Sequence, residues 1–220
     1  MFLKSRITTI YLIIGVLLSV SIFVSSYTAN VRLPDNHQGY EPVQPIAFSH
    51  RLHAGEMGMQ CLYCHFGAEK SKHAGIPPVN VCMNCHKYVS APFVDTKAEE
   101  QLATKENRKP RLVFSSEIKK IYDAFGVDSS GIVSTPLNAK AIEWKKIHNL
   151  QDFVYFDHRA HVSVGVECQT CHGAVETMER VRQFSDLTMG WCVNCHRDAN
   201  KNGINGKKVA ASVSCSTCHY

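Results

Sequence analysis

Residues 154–177 read VYFDHRAHVSVGVECQTCHGAVET, and residues 46–70 read IAFSHRLHAGEMGMQCLYCHFGAEK. The two stretches are copies of one pattern. Each opens on a phenylalanine and two histidines at i and i+3, and each closes on Cys-x-x-Cys-His. The histidine pairs are offset by 108 positions and the cysteines by 107, so the second copy is one residue shorter. Each copy runs on to a further motif, VCMNCHK at 81–87 and WCVNCHR at 191–197. A fifth motif, Cys215–Cys218–His219, stands alone before Tyr220. An internal duplication of this kind defines the architecture before any secondary structure is considered.

All ten cysteines of the 220 residues fall into these pairs: Cys61 and Cys64, Cys82 and Cys85, Cys168 and Cys171, Cys192 and Cys195, Cys215 and Cys218. Each pair is followed by a histidine: His65, His86, His172, His196 and His219. Cys-x-x-Cys-His is the attachment signature of c-type haem. Two thiols three positions apart reach the two vinyl groups of one porphyrin, and the next residue supplies the proximal imidazole. Structural zinc would need the pairs combined in twos, and it explains no histidine after every second cysteine. A redox Cys-x-x-Cys of the thioredoxin type belongs in a βαβ setting that the sequence lacks. Five covalent haem c groups are expected.

Each iron has a second axial position, open in substrate-binding haems and filled in electron carriers. Beyond the proximal five, the twelve histidines leave His37, His50, His53, His73, His148, His158 and His161. The pairs His50/His53 and His158/His161 are the expected distal ligands, and at i, i+3 their imidazoles diverge enough to serve two different irons. His148 is a further distal candidate. His73, Met189 and Met178 are weaker ones, since methionine can also be axial but more often fills a core. His37 reads as a surface or satisfied core residue. Six plausible histidines for five irons allow every haem to be saturated, and no catalytic residue is expected.

The first thirty residues are set apart by their apolarity. Lys4 and Arg6 precede an uncharged run of 21 residues, Ile7 to Tyr27. That length spans a hydrocarbon core as a helix, and the flanking charges favour a cytoplasmic N-terminus. A cleaved signal peptide is the rival reading, but its apolar region would be shorter and followed by a small-residue site. The expectation is a bacterial inner-membrane anchor over 1–30 with the body in the periplasm. A linker at 31–45 follows, then a first two-haem unit at 46–90 and a haem-free helical insertion at 91–150. A second two-haem unit at 151–200 and a fifth-haem segment at 201–220 complete the chain. In the insertion, Ser115 or Ser116 can cap a helix whose Ile118, Ile121, Tyr122 and Phe125 share a face and which ends at Gly126. Asp95 to Lys109 reads as a solvated helix or loop. The predicted fold is mainly α and irregular, a compact multihaem cytochrome in which porphyrins supply much of the apolar core.

The polypeptide carries a net charge of +5. Five haems would add roughly ten ionised propionates, bringing the whole to about −5. The lysines form no stripe, and no nucleic-acid partner is expected.

The paired F-x-H-x-x-H elements resemble the ligand segments of class III, cytochrome c3-like, multihaem cytochromes. That resemblance implies that His50 serves the haem at Cys61–Cys64 and His158 the haem at Cys168–Cys171, with the second histidine of each pair serving another haem. Residues 44–86, with QPIAFSHRLHAG, HAGIPP and CMNCH, and residues 144–196, with VYFDHRAHV and MGWCVNCHR, are similar to the pentahaem cytochrome c subunit of bacterial alternative complex III. This covers most of the chain except about 87–140. The resemblance implies an electron-transfer subunit of a quinol:electron-acceptor oxidoreductase. Its neighbours would be a molybdopterin-oxidoreductase-like iron–sulfur subunit and polytopic quinol-binding membrane subunits. A mono-haem cytochrome c or terminal oxidase would lie downstream. It also allows one His/Met haem, with Met189 the first candidate. The competing expectations are a nitrite-type multihaem reductase, which needs an open iron and a lysine or arginine pocket, and a stand-alone membrane-anchored quinol dehydrogenase.

Overall fold

A computed structural model describes residues 2–30, 36–127 and 139–220, and within the first helix the side chains of Ile7 and of residues 10–25. The chain divides into two compact units, Met1–Asn36 and His37–Tyr220. The expected linker at 31–45 and the insertion at 91–150 each lie partly outside the described residues.

The first unit is α1, Phe2–Asn30. Its described side chains are all exposed. Among the described residues no helix is long and apolar enough to cross a membrane.

The second unit is built from short helices. One π-helical turn, Arg51–Glu56, is followed by α2 (Cys61–Cys64), α3 (Gly67–Lys70) and α4 (Val79–His86). Then come α5 (Phe93–Lys105) and α6 (Ser116–Phe125). The second copy gives α7 (His158–Ser163), α8 (Cys168–His172) and a 3-10 turn, Val175–Thr177. The chain ends with α9 (Met189–Asn202) and α10 (Cys215–Cys218). Among the described residues there is no strand; isolated bridges join Val154 with His219 and Ile204 with Lys207.

α6 forms for the reasons its sequence supplies. The Ser115 side chain accepts from the Ile118 amide at 3.3 Å, and Gly126 closes the helix in the left-handed region at φ 83°. These are the N-cap and C′ devices that satisfy the free amides and carbonyls at helix ends. Its apolar face carries Ile121 and Tyr122 into a small core with Ile46, Met83 and Val127. α6 therefore packs on α4, and Tyr122 Oη donates to the His86 carbonyl at 2.5 Å. The insertion buttresses the second haem motif. The Asp95 to Lys109 stretch becomes the solvated helix α5, tied down by Arg108 on Glu99 and Glu106.

That core is meagre. Nine apolar residues are buried among the described residues, four of them alanines, and the largest fully buried side chain is Gln183. Gln183 is saturated by hydrogen bonds. Its side-chain carbonyl accepts from the Asn149 amide at 2.9 Å, and its amide group donates to the Ser185 carbonyl at 3.0 Å. Its backbone N–H donates to Tyr40 O and its carbonyl accepts from the Gly39 N–H. A buried amide pays no desolvation penalty when every group has a partner, and this one pins residues 39–40 and 149 to the second repeat.

Candidate haem sites

All five Cys-x-x-Cys pairs sit on a helical turn, which sets the two sulfurs on one face. All ten thiols are free, and none is buried. In a haem-loaded chain these sulfurs would be thioethers, so their positions mark where the porphyrin edges attach. Among the described residues no three His, Cys, Asp or Glu side chains converge as a metal cluster.

The histidines are arranged differently. They face each other in twos. His50 and His65 have ring centroids 6.4 Å apart and planes at 5°. His158 and His172 repeat this at 6.3 Å and 7°. His53 and His86 stand 6.2 Å apart at 55°, and His161 and His196 stand 6.0 Å apart at 36°. These separations exceed van der Waals stacking, and the gap has a chemical meaning. A metal–imidazole bond is about 2 Å, and the ring centre lies about 1.1 Å behind its nitrogen, so two imidazoles across one metal have centres about 6.2 Å apart. The four pairs fit an iron held between them.

The other ring nitrogen of each histidine is also accounted for. Six Nδ1 atoms lie on backbone carbonyls: His53 on Ser49 at 2.8 Å, His65 on Gly75 at 2.7 Å and His86 on Val89 at 2.9 Å. His158 lies on Lys72 at 2.8 Å, His161 on Asp157 at 2.9 Å and His196 on Ser212 at 2.5 Å. A carbonyl can only accept, so each Nδ1 carries the proton and each Nε2 keeps its lone pair for a metal. His172 Nδ1 is bonded instead to His148 Nε2 at 3.0 Å. His50 is the exception: its Nδ1 is buried without a partner.

Phenylalanines set the spread within each histidine pair. Phe48 stacks on His53 at 4.3 Å and meets His50 edge-on at 4.9 Å. Phe156 treats His161 and His158 in the same manner, at 4.7 and 4.8 Å. The i, i+3 imidazoles therefore point to different partners. Asp157 caps α7 by accepting from the Arg159 amide at 2.9 Å, and Arg159 holds its carboxyl at about 2. Burial, followed by the charges of His65 and His53, pushes His50 down to about 4. Burial, followed by neighbouring histidines, does the same to His172 and His148. These imidazoles are neutral at neutral pH, the form that binds metal.

The remaining sequence candidates lie elsewhere. His148 meets His172 edge-on and faces no proximal histidine across a gap. His73 is exposed. Met189 opens α9 and is 70% exposed. Met178 lines a cleft of about 330 Å³ with Glu41, Glu179, Arg180 and Arg182, where two carboxylates balance two guanidinium groups. His219 has Phe153 as its ring neighbour, at 5.7 Å. His37 is half-buried with Nδ1 at 3.3 Å from the Ile147 carbonyl. Sequence reasoning did not single out Gln183 or the carbonyl partners, because any residue type supplies a carbonyl.

Residues 154–220 match the family described as cytochrome c7 and related cytochrome c. Over 196 residues the chain is 26% identical to the multiheme cytochrome c subunit of menaquinone reductase from Nitratidesulfovibrio vulgaris, covering 80% of this chain and 76% of that protein. Both likenesses support a multihaem cytochrome c. Such a cytochrome binds haem c covalently and transfers electrons. The facing imidazoles and the helical cysteine pairs are the parts that would serve that task.

Proposed function

We propose that this chain carries five haem c groups and relays electrons within a membrane quinol:electron-acceptor oxidoreductase of the alternative complex III type. The observation that carries the reading is the set of four histidine pairs facing across 6.0–6.4 Å. Bound haem c supplies a reversible one-electron change at iron. The chain's residues do the rest. His65, His86, His172, His196 and His219 hold the proximal positions, and His50, His53, His158 and His161 hold distal ones. Carbonyl partners on Nδ1 lock the rings and raise the donor strength of Nε2. His148 orients His172 in the same way. Met189, which opens α9 one turn before Cys192, would serve the fifth iron. In the Met189→Ala holoprotein one iron of five should become high-spin and bind carbon monoxide; an unchanged spectrum refutes this ligand.

With His or Met side chains placed to hold both faces of each iron, the chain would do no bond chemistry. The 330 Å³ cleft, with its charges balanced, offers a nitrite-type reductase no cationic pocket. The anchor reading rests on the sequence: the uncharged run Ile7–Tyr27 has 21 residues, enough to span a hydrocarbon core, whereas the described side chains of α1 are only Ile7 and residues 10–25; it would leave the body in the periplasm. Quinol is handled by polytopic partner subunits, since one helix cannot enclose it. An iron–sulfur molybdopterin-oxidoreductase-like subunit and a mono-haem cytochrome c or terminal oxidase complete the assembly.

A second reading is favoured by the menaquinone reductase relative: electrons run from a periplasmic donor to the quinone. The test is purification from native membranes in mild detergent. Co-purification of iron–sulfur and polytopic subunits is expected, and the chain emerging alone sinks both readings. Quinol-driven reduction of cytochrome c by that assembly supports the first; quinone reduction alone supports the second.

A further inference from the structure

We infer that the electron path runs along the five motifs in one unbranched line, second, first, third, fourth, fifth, crossing between the repeats at the first and third. The inference rests on the five-haem reading above.

Within each repeat, the join is made by the histidine pair. His50 faces the first motif and His53 the second, one helical turn apart. Asn84 Nδ2 also donates to Tyr63 Oη at 3.1 Å. His158 and His161 join the third and fourth motifs in the same manner.

The crossing is reciprocal. The π-helical turn after His50 packs on the 3-10 turn that follows the third motif, and α7 packs on α3, which follows the first. These two contacts are equivalents under the duplication. In one, the Arg51 amide donates to Met178 O at 2.9 Å, and Ser49 Oγ donates to Glu179 at 2.8 Å. In the other, the His158 amide and Nδ1 both donate to Lys72 O. The approach is close enough that a Cβ on Gly55 would collide with the Glu176 backbone carbonyl. Each repeat thus seats the other's first haem, and the pair of first motifs forms the midpoint of a pseudo-symmetric line.

The fifth motif extends one end. The segment before the fifth motif is held by the fourth: His196 Nδ1 donates to Ser212 O at 2.5 Å, and Asn200 exchanges two hydrogen bonds with Ala211. The two ends are accessible, with Tyr88 and Val89 exposed beside the second motif and Val213 and Tyr220 beside the fifth.

The test starts by measuring the haem-to-protein ratio in the full chain, so that a ratio below five identifies failure of the five-haem reading itself. An electron cryo-microscopy map of the haem-loaded complex then gives the iron positions. The nearest neighbours expected are second–first, first–third, third–fourth and fourth–fifth. A second haem nearest to the third, fourth or fifth overturns the order. A kinetic test needs no map. A photosensitiser on Val213→Cys injects electrons at the fifth motif, and His53→Met raises the second haem's potential and makes it the trap. Removing the first haem by Cys61→Ser with Cys64→Ser should slow arrival at least tenfold. Unchanged arrival in a four-haem chain overturns the line.

Discussion

A single nitrogen distinguishes His53 from His148. His53 and His148 are both half-buried histidines. His53 gives its Nδ1 to a carbonyl and turns Nε2 toward His86 across 6.2 Å. His148 spends its Nε2 on His172. Replacing His53 with alanine should leave all haems attached, because the thioether links are elsewhere. One iron should then lose its low-spin signal and bind one carbon monoxide per chain, read by electron paramagnetic resonance and difference spectra. The ion pair of Glu99 with Arg108 makes a second prediction. Hydrogen bonds from Arg108 and from the Arg111 amide, with their charges, lower Glu99 from 4.5 to about 2. A depressed carboxylate stabilises the fold above its unfolded pKa and loses that contribution as pH falls through the folded value. The stability difference between the wild type and Arg108→Gln should therefore be constant above pH 4.5 and vanish on the way to pH 2, followed by chemical denaturation.

At the scale of elements, short capped helices substitute for long ones. α2, α8 and α10 have four or five residues each, well below what is stable alone. They are held by what they carry and by what packs on them. α6 is the element that stands most on its own sequence. Ser115→Ala should cost about 1 kcal/mol of stability, seen as a lower denaturation midpoint at unchanged haem content, with Ser115→Asp restoring it. Its Ser cap, apolar spacing and terminal glycine were legible in the sequence. The packing of α6 under α4 was not. It depends on a Tyr122 hydroxyl reaching the His86 carbonyl over 36 positions, and no local pattern encodes that distance.

At the scale of the molecule, the nine apolar residues buried among the described residues, four of them alanines, are too few to offset the conformational entropy of so many ordered residues. The haem-free chain, made without the attachment machinery, should show no cooperative thermal transition by circular dichroism, while the loaded protein should melt sharply. A cooperative melt of the haem-free form would refute the view that porphyrins are the core. By itself the sequence determined the chemistry: covalent bonds require thiols at a set spacing and a following imidazole, and that requirement is local. It also displayed the duplication, because copied segments keep their residue order. Only the tertiary structure decided which histidine faces which. Imidazoles at i and i+3 diverge, and the histidines they face lie between 14 and 35 positions further along the chain, most of them held by backbone carbonyls that every residue type shares.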